Sequence, residues 1–280
     1  MNKIHRVVFN TATGAWQAVS EIARGPSKSS SDSRRVRRSA ALAAAVGAFL
    51  SGGATIPSSA WAACSVNTPV AVAMCSGNDQ RNFSNSLDDL FVIMQSGAIA
   101  GSVTGSGAPV FRMGGTNVIL QNSGQINPSA DGQQSVLTTG VKAGNANNNQ
   151  HIEITNFSSG WISGTGANLG ASIANLDGMA LDVQGGPGGL ATLTNSGIIS
   201  AIPIVGATLA ADDMPTVAVH GGTQVDMTNN NQLHGRVAFE ASTQGNIFTN
   251  TGTLMGSVSL GAGGGGNTFN AITGSSVGTG

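Results

Sequence analysis

The sequence predicts an all-β protein, a right-handed parallel β-helix of the solenoid kind, behind a leader that is cleaved on export. Three observations carry this reading. Segments that alternate apolar and polar residues end repeatedly on an Asn-x-Gly corner, the chain past residue 62 is rich in Gly, Asn, Ser, Thr and Val with no tyrosine, and eight of the twelve Lys and Arg residues lie within the first 62 positions. Alternation is the period of a strand with one buried face. Gly and Asn are poor helix interiors, which argues against a helix-rich enzyme, and disorder calls for a higher net charge and fewer Val, Ile and Leu.

The leader comes first. Lys3 and Arg6 follow Met1, and a second basic cluster, Arg34, Arg35, Arg37 and Arg38, abuts an Ala-rich apolar run over 40–50. That run is too short to span a bilayer as a helix, and small residues follow it. Ala60-Trp61-Ala62 fits the small-residue cleavage rule, so the expected cut lies between Ala62 and Ala63. Residues 26–62 thus read as a Sec signal peptide and 1–25 as an extension in front of it.

The extension has a distinctive pattern: Asn2-Lys3-Ile4, Arg6, Phe9-Asn10, Gly14-x-Trp16, then Ala18-Val19-Ser20-Glu21. Over about residues 1–25 it resembles the extended signal peptide region of type V secreted proteins of Gram-negative bacteria. His5 stands where a tyrosine is common and Phe9 where a tryptophan is common, changes that leave the charge and amphipathic pattern in place. The resemblance implies export by the Sec translocon, removal of the leader by signal peptidase, and passage across the outer membrane through a β-barrel.

Past the cut, four basic residues (Arg81, Arg112, Lys142, Arg236) face eleven acids, a formal charge of 4 − 11 = −7. Nothing remains to neutralise a phosphate backbone, which argues against nucleic acid as a partner. Cys64 and Cys75 are the only cysteines. In an oxidising compartment they are expected to close a small disulfide loop that staples an N-terminal cap over 63–115. Lipidation of Cys64 is the competing use, but Trp61 stands where that signal requires an aliphatic residue.

Repeats fill 116–280. The clearest copies are 118–126, 191–199 and 246–254, with looser ones at 152–162 and 225–233. Their corner asparagines, Asn122, Asn156, Asn195, Asn229 and Asn250, are spaced 34, 39, 34 and 21 residues apart. The last step reads as one coil of about twenty residues and the longer ones as two, giving roughly ten or eleven coils past the leader. Segments 135–141, 179–186 and 216–222 are candidates for the intervening coils, and the last two, closed by Gly-Gly, read as the opposite side of the coil. Asn-x-Gly is expected to turn through left-handed backbone, and stacked asparagines can form hydrogen-bonded ladders. Residues 252–270 resemble the Gly-x-Val-x-Leu-Gly coils of autotransporter passengers.

Catalytic and metal motifs dissolve on inspection. Gly261 to Gly266 matches GxGxxG without a βαβ unit, and Gly274 to Gly278 matches GxSxG without a following helix. A glycine-rich calcium coil would need Asp where Asn267 and Thr268 stand. His151, His220 and His234 show no metal-ligand spacing. Asp88-Asp89 and Asp212-Asp213 read as solvated turn residues. The chain is therefore expected to have no reaction centre, cofactor or metal.

Architecture and address together predict an exported autotransporter passenger segment, a surface adhesin or aggregation factor that meets a host surface or its own kind. It would be periplasmic in transit and displayed at the cell surface once attached to a barrel. No C-terminal barrel pattern follows Phe269, so the barrel is expected either in a missing continuation or in a separate partner. A stalk beneath a downstream enzymatic domain and a two-partner exoprotein are the alternatives.

Overall fold

The computed structural model describes residues 5–10, 15–20, 64–79, 82–101, 108–128, 137–166, 178–204, 211–262, 265–272 and 276–278. Two compact units divide the chain, Met1–Ile56 and Pro57–Gly280. Among the described residues the regular structure is strand, apart from the 3-10 turns Thr68–Val70 and Ala211–Asp213.

In the first unit, His5–Asn10 and Ala15–Ser20 form an antiparallel pair. Its register sets Phe9 opposite Trp16 and Arg6 opposite Val19, so the leader residues Arg6, Phe9, Asn10, Trp16, Ala18, Val19 and Ser20 all fall on one hairpin. Asn2, Lys3, Ile4, Gly14 and Glu21, and the cleavage positions Ala60, Ala62 and Ala63, lie outside the described residues.

The second unit is built from three parallel sheets that the chain visits in rotation. Sheet 1 holds Val72–Cys75, Phe91–Met94, Ile119–Asn122, His151–Asn156, Leu190–Asn195, Gln224–Asn229, Ile247–Asn250 and Thr268–Ala271. Sheet 2 runs from Asn78–Asp79 through Ile99–Ala100, Gln125–Ile126, Trp161–Gly166, Ile198–Pro203, Gln232–His234 and Thr253–Met255 to Ser276–Gly278. Sheet 3 holds Phe83–Asn85, Phe111–Met113, Val141–Gly144, Leu181–Gln184, Pro215–His220, Arg236–Phe239 and Val258–Ser259. Every strand pairs with the strand one circuit on, so each circuit contributes one rung to each sheet.

Inward columns of apolar side chains fill the space between the sheets. On sheet 1, Ala73, Val92, Leu120, Ile154, Leu193, Met227 and Phe248 occupy successive rungs of one column and are buried. Sheet 2 adds Ala100, Ile126, Ile162, Ile199, Leu233 and Leu254, and sheet 3 adds a column that includes Val141, Leu181, Val217 and Val237. Each Val, Leu, Ile, Met or Phe in these columns contributes about 1.5–3 kcal/mol of burial, so stability accrues rung by rung.

The N-terminal end is closed differently. Ser65–Asn67 pairs antiparallel with Val72–Cys75, and a disulfide joins Cys64 to Cys75 across it. Antiparallel pairing of this kind covers the edge that a parallel stack would otherwise leave open.

Circuit length departs from the sequence expectation. The corner asparagines sit on adjacent rungs of sheet 1, so the steps of 34 and 39 residues are single circuits, as is the step of 21. Sheet 1 accordingly carries eight parallel rungs rather than ten or eleven. Most of the extra residues leave at one corner, between sheets 2 and 3. There Ile126 is followed by a strand only at Val141, Gly166 only at Leu181 and Pro203 only at Pro215, whereas Gly235 alone joins His234 to Arg236. Register is set by strand pairing, and an insertion at a corner changes spacing without adding a rung. Strands Leu181–Gln184 and Pro215–His220, which cover two of the segments expected to supply intervening coils, are third sides of these same circuits, as is Val141–Gly144, which starts at the last residue of segment 135–141.

Candidate functional site

Three surfaces and one internal column are the places where chemistry could reside. The internal column is the row of corner asparagines. Asn122, Asn156, Asn195, Asn229 and Asn250 are each fully buried, in register at the last position of five consecutive sheet 1 strands. Each Nδ2 donates to the next Oδ1, at 2.8, 2.8, 2.7 and 2.7 Å in chain order. The second amide hydrogen goes to a nearby backbone carbonyl, as from Asn195 to Gln232 O at 2.9 Å, and Asn195 Oδ1 also accepts from the Gly197 N–H. Five aligned amides polarise one another, and every one finds its partners away from water. Met94 precedes them in the column and Ala271 follows.

The glycine of the corner is required for a reason other than the one expected. Neither these asparagines nor Gly124, Gly160, Gly197 and Gly252 have positive φ. Their hydrogen atoms instead face the neighbouring circuit's backbone and, at Gly160, the amide of its own corner asparagine as well. A Cβ on Gly197 would stand 2.1 Å from Gly160 O, and one on Gly160 would stand 2.2 Å from Asn156 Oδ1. Close approach, and not left-handed geometry, selects glycine here.

On the outer side of sheet 3, Asp182 joins Lys142 and His220. The Asp182 Oδ1 to His220 Nε2 distance is 2.7 Å, and Lys142 Nζ lies 2.8 Å from Asp182 Oδ2. Asp182 and His220 are buried, while Lys142 is partly open to solvent. Burial, the largest influence, pushes the Asp182 carboxyl up, yet the hydrogen bonds and charges of His220 and Lys142 together hold it below the ordinary carboxylate value. The cluster links three successive rungs: Lys142 is opposite Asp182, and His220 is two positions along from Asp182's opposite number, Ala218. Both carboxylate oxygens are occupied, which suits a clamp between rungs better than a free acid or base.

The other predicted site residues disperse. His151 Nε2 lies 3.8 Å from Glu153, and His234 sits on sheet 2 beside Ser200 and Met255 in register. Asp88 and Asp89 are exposed in a turn stacked on the next circuit, accepting from Thr116 N–H and Asn117 Nδ2. Asp212 and Asp213 belong to the short turn Ala211–Asp213. Among the described residues no three of His, Cys, Asp and Glu converge on a point that a metal ion could occupy. The cluster around Asp182 escaped sequence reading, although superposing the two strands closed by Gly-Gly would have placed Asp182 two positions short of His220.

The outer faces differ in character. Sheet 1 displays a column of Thr155, Thr194, Thr228 and Thr249 beside Glu153 and Asp226. Sheet 2 displays Gln125, Trp161, Ile198, Gln232 and Thr253 in one row.

Residues 1–51 match the family model described as the Extended Signal Peptide of Type V secretion system. The match takes in the hairpin and runs on through the second basic cluster into the apolar run. It supports an autotransporter N-terminus and implies export across the inner membrane toward the cell envelope. No curated protein and no solved structure matches the chain.

Proposed function

We propose that the chain is the passenger segment of an autotransporter, folded as a right-handed parallel β-helix and acting at the cell surface as an adhesin or aggregation factor. The type V leader over 1–51 is the observation that carries the reading. The eight-rung stack behind it supports it, because a solenoid offers long, repetitive faces instead of a deep pocket. An outer-membrane barrel, in the same polypeptide or a separate one, is the partner that display requires. The role is that of a scaffold, not a catalyst: the most elaborate polar cluster, around Asp182, has its carboxylate fully engaged by Lys142 and His220.

The test is made in cells that carry the intact locus. Antibody raised against residues 63–280 should label unpermeabilised cells, and deleting the locus should reduce aggregation or attachment to host cell layers. Labelling only after the outer membrane is opened would defeat the surface assignment, and unchanged aggregation and attachment in the deletion strain would defeat the adhesive one.

A further inference from the structure

Trp161 is the one tryptophan beyond the leader. It opens the sheet 2 strand Trp161–Gly166 and points outward, since Ile162 beside it is fully buried in the interior column. Its indole Nε1 donates to Ser200 Oγ at 3.1 Å. In register, Trp161 stands opposite Ile198, and Ser200 stands opposite Ser163. The indole therefore reaches one rung across and two residues along, so the ring lies over the sheet surface instead of standing off it. The residue is partly exposed. Because the N–H already has its partner, the ring is oriented before any ligand arrives, which lowers the ordering cost of binding.

The surroundings of the ring narrow the ligand class. Trp161 lies in a straight row of outward residues, Gln125, Trp161, Ile198 and Gln232, one per rung, with the two glutamines exposed. Rungs repeat every ~4.8 Å, close to the length of one sugar ring in an extended chain. The outward positions of sheet 2 from Ile99 to Met255 hold no Asp, Glu, Lys or Arg among the described residues, whereas sheet 1 shows Glu153 and Asp226 and the strands of sheet 3 carry Arg112, Lys142, Asp182 and Arg236.

We infer that this face binds a neutral glycan chain laid along the stack, with Trp161 as the platform for the apolar face of one sugar ring. Gln125 and Gln232 on either side offer both donors and acceptors to ring hydroxyls. Ile198 continues the apolar strip for the next ring. Among the described outward residues of sheet 2 an anionic glycan would find no Lys or Arg, His234 being the one titratable group, and a basic peptide no carboxylate, which discriminates against both. Tryptophan is also one of the side chains in which binding energy concentrates at an interface. The inference deepens the adhesive reading above, naming the class of surface the adhesin would meet.

The test uses the full chain, exported and recovered from the envelope, with Trp16→Phe and Trp61→Phe making Trp161 the sole indole whether or not the leader remains. Titration with a β-1,4-linked glucose hexamer and with an N-acetylglucosamine hexamer should give a saturable change in Trp161 fluorescence with at least one of them. A galacturonate hexamer should give none. Binding followed by calorimetry should fall at least tenfold in Trp161→Ala and in the double variant Gln125→Ala/Gln232→Ala, with melting temperatures retained. Ser200→Ala should weaken it less, by loosening the ring. Failure of both neutral hexamers, equal binding by Trp161→Ala, or tighter binding of the acidic hexamer would overturn the inference. The adhesive reading is judged separately by the deletion strain: attachment without hexamer binding removes only the glycan face, and hexamer binding without attachment removes only the adhesin.

Discussion

Asn195 Nδ2 donates to Asn229 Oδ1 at 2.7 Å across 34 residues of sequence, with both side chains fully buried. That bond is one link in a row of five amides, and each link depends on the register of two circuits. Asn195→Ala should therefore cost more than its own hydrogen bonds. It strands Asn156 Nδ2, Gly197 N–H and Asn229 Oδ1 without their shared partner. About 3 kcal/mol is expected from unsatisfied buried groups, equivalent to a fall in melting temperature of about 6–12 °C. Thr194→Ala, one residue away on the outward side, should change stability by less than about 0.5 kcal/mol. Equal melting temperatures for the two variants would remove the ladder from any structural role.

Two glycines separate the steric requirement from the conformational one. Gly197 lies against the backbone of the circuit before it, where a Cβ would meet Gly160 O at 2.1 Å, whereas Gly97 has φ +77° and nothing within 4 Å of its absent Cβ. Gly197→Ala is expected to cost about 2–3 kcal/mol through overpacking. Gly97→Ala should cost about 1 kcal/mol, the ordinary penalty of left-handed backbone, and Gly97→Asn less still. Urea unfolding midpoints of the three variants decide it, and a reversed order would mean that the backbone separation at the corner relaxes freely.

Asp182 supplies a pH dependence with a definite sign. Its folded value lies below the ordinary 3.8, so its contribution is fully present above that value and is lost as the pH falls through the lower folded one. Unfolding midpoints measured between about pH 5 and pH 2 should thus fall more steeply in the parent than in Asp182→Asn. At neutral pH the order is the opposite kind of evidence: Asp182→Asn should melt lower because Lys142 and His220 lose their shared carboxylate. Parallel acid profiles would show that the cluster contributes nothing to the linkage.

Much of this architecture was legible in the residues themselves. Alternation in 191–195 and 225–229 marked strands correctly, and the recurrence of Asn at their ends marked one column, because a buried strand face and a repeated polar corner leave local signatures. What stayed hidden depends on pairing between circuits. The step of 39 residues from Asn156 to Asn195 contains one rung of each sheet, yet nothing local distinguishes an insertion at a corner from an additional coil. Asp182 and His220, 38 residues apart, meet only because the circuits stack with Asp182 opposite Ala218. The role of glycine at the corner is hidden for the same reason: the obstructing atom, such as Gly160 O behind Gly197, belongs to another circuit.

If insertions at the corner between sheets 2 and 3 leave the rungs untouched, they should be removable. His234 and Arg236 show the shortest version, with Gly235 alone between them at φ +108° and no room for a Cβ beside Thr216 Oγ1, which would lie 1.9 Å away. One circuit earlier, residues 204–214 separate Pro203 from Pro215. Replacing 205–210 with Gly-Gly removes no residue of any rung. Since closure entropy changes slowly with loop length, the change in stability is expected to stay within about 1 kcal/mol. The amides of Leu181–Gln184 and Pro215–His220, which pair across this circuit, should keep their hydrogen-exchange protection. Loss of protection in those two strands, with the rest of the stack intact, would show that the inserted residues hold the corner in place and that the circuit is not specified by its strands alone.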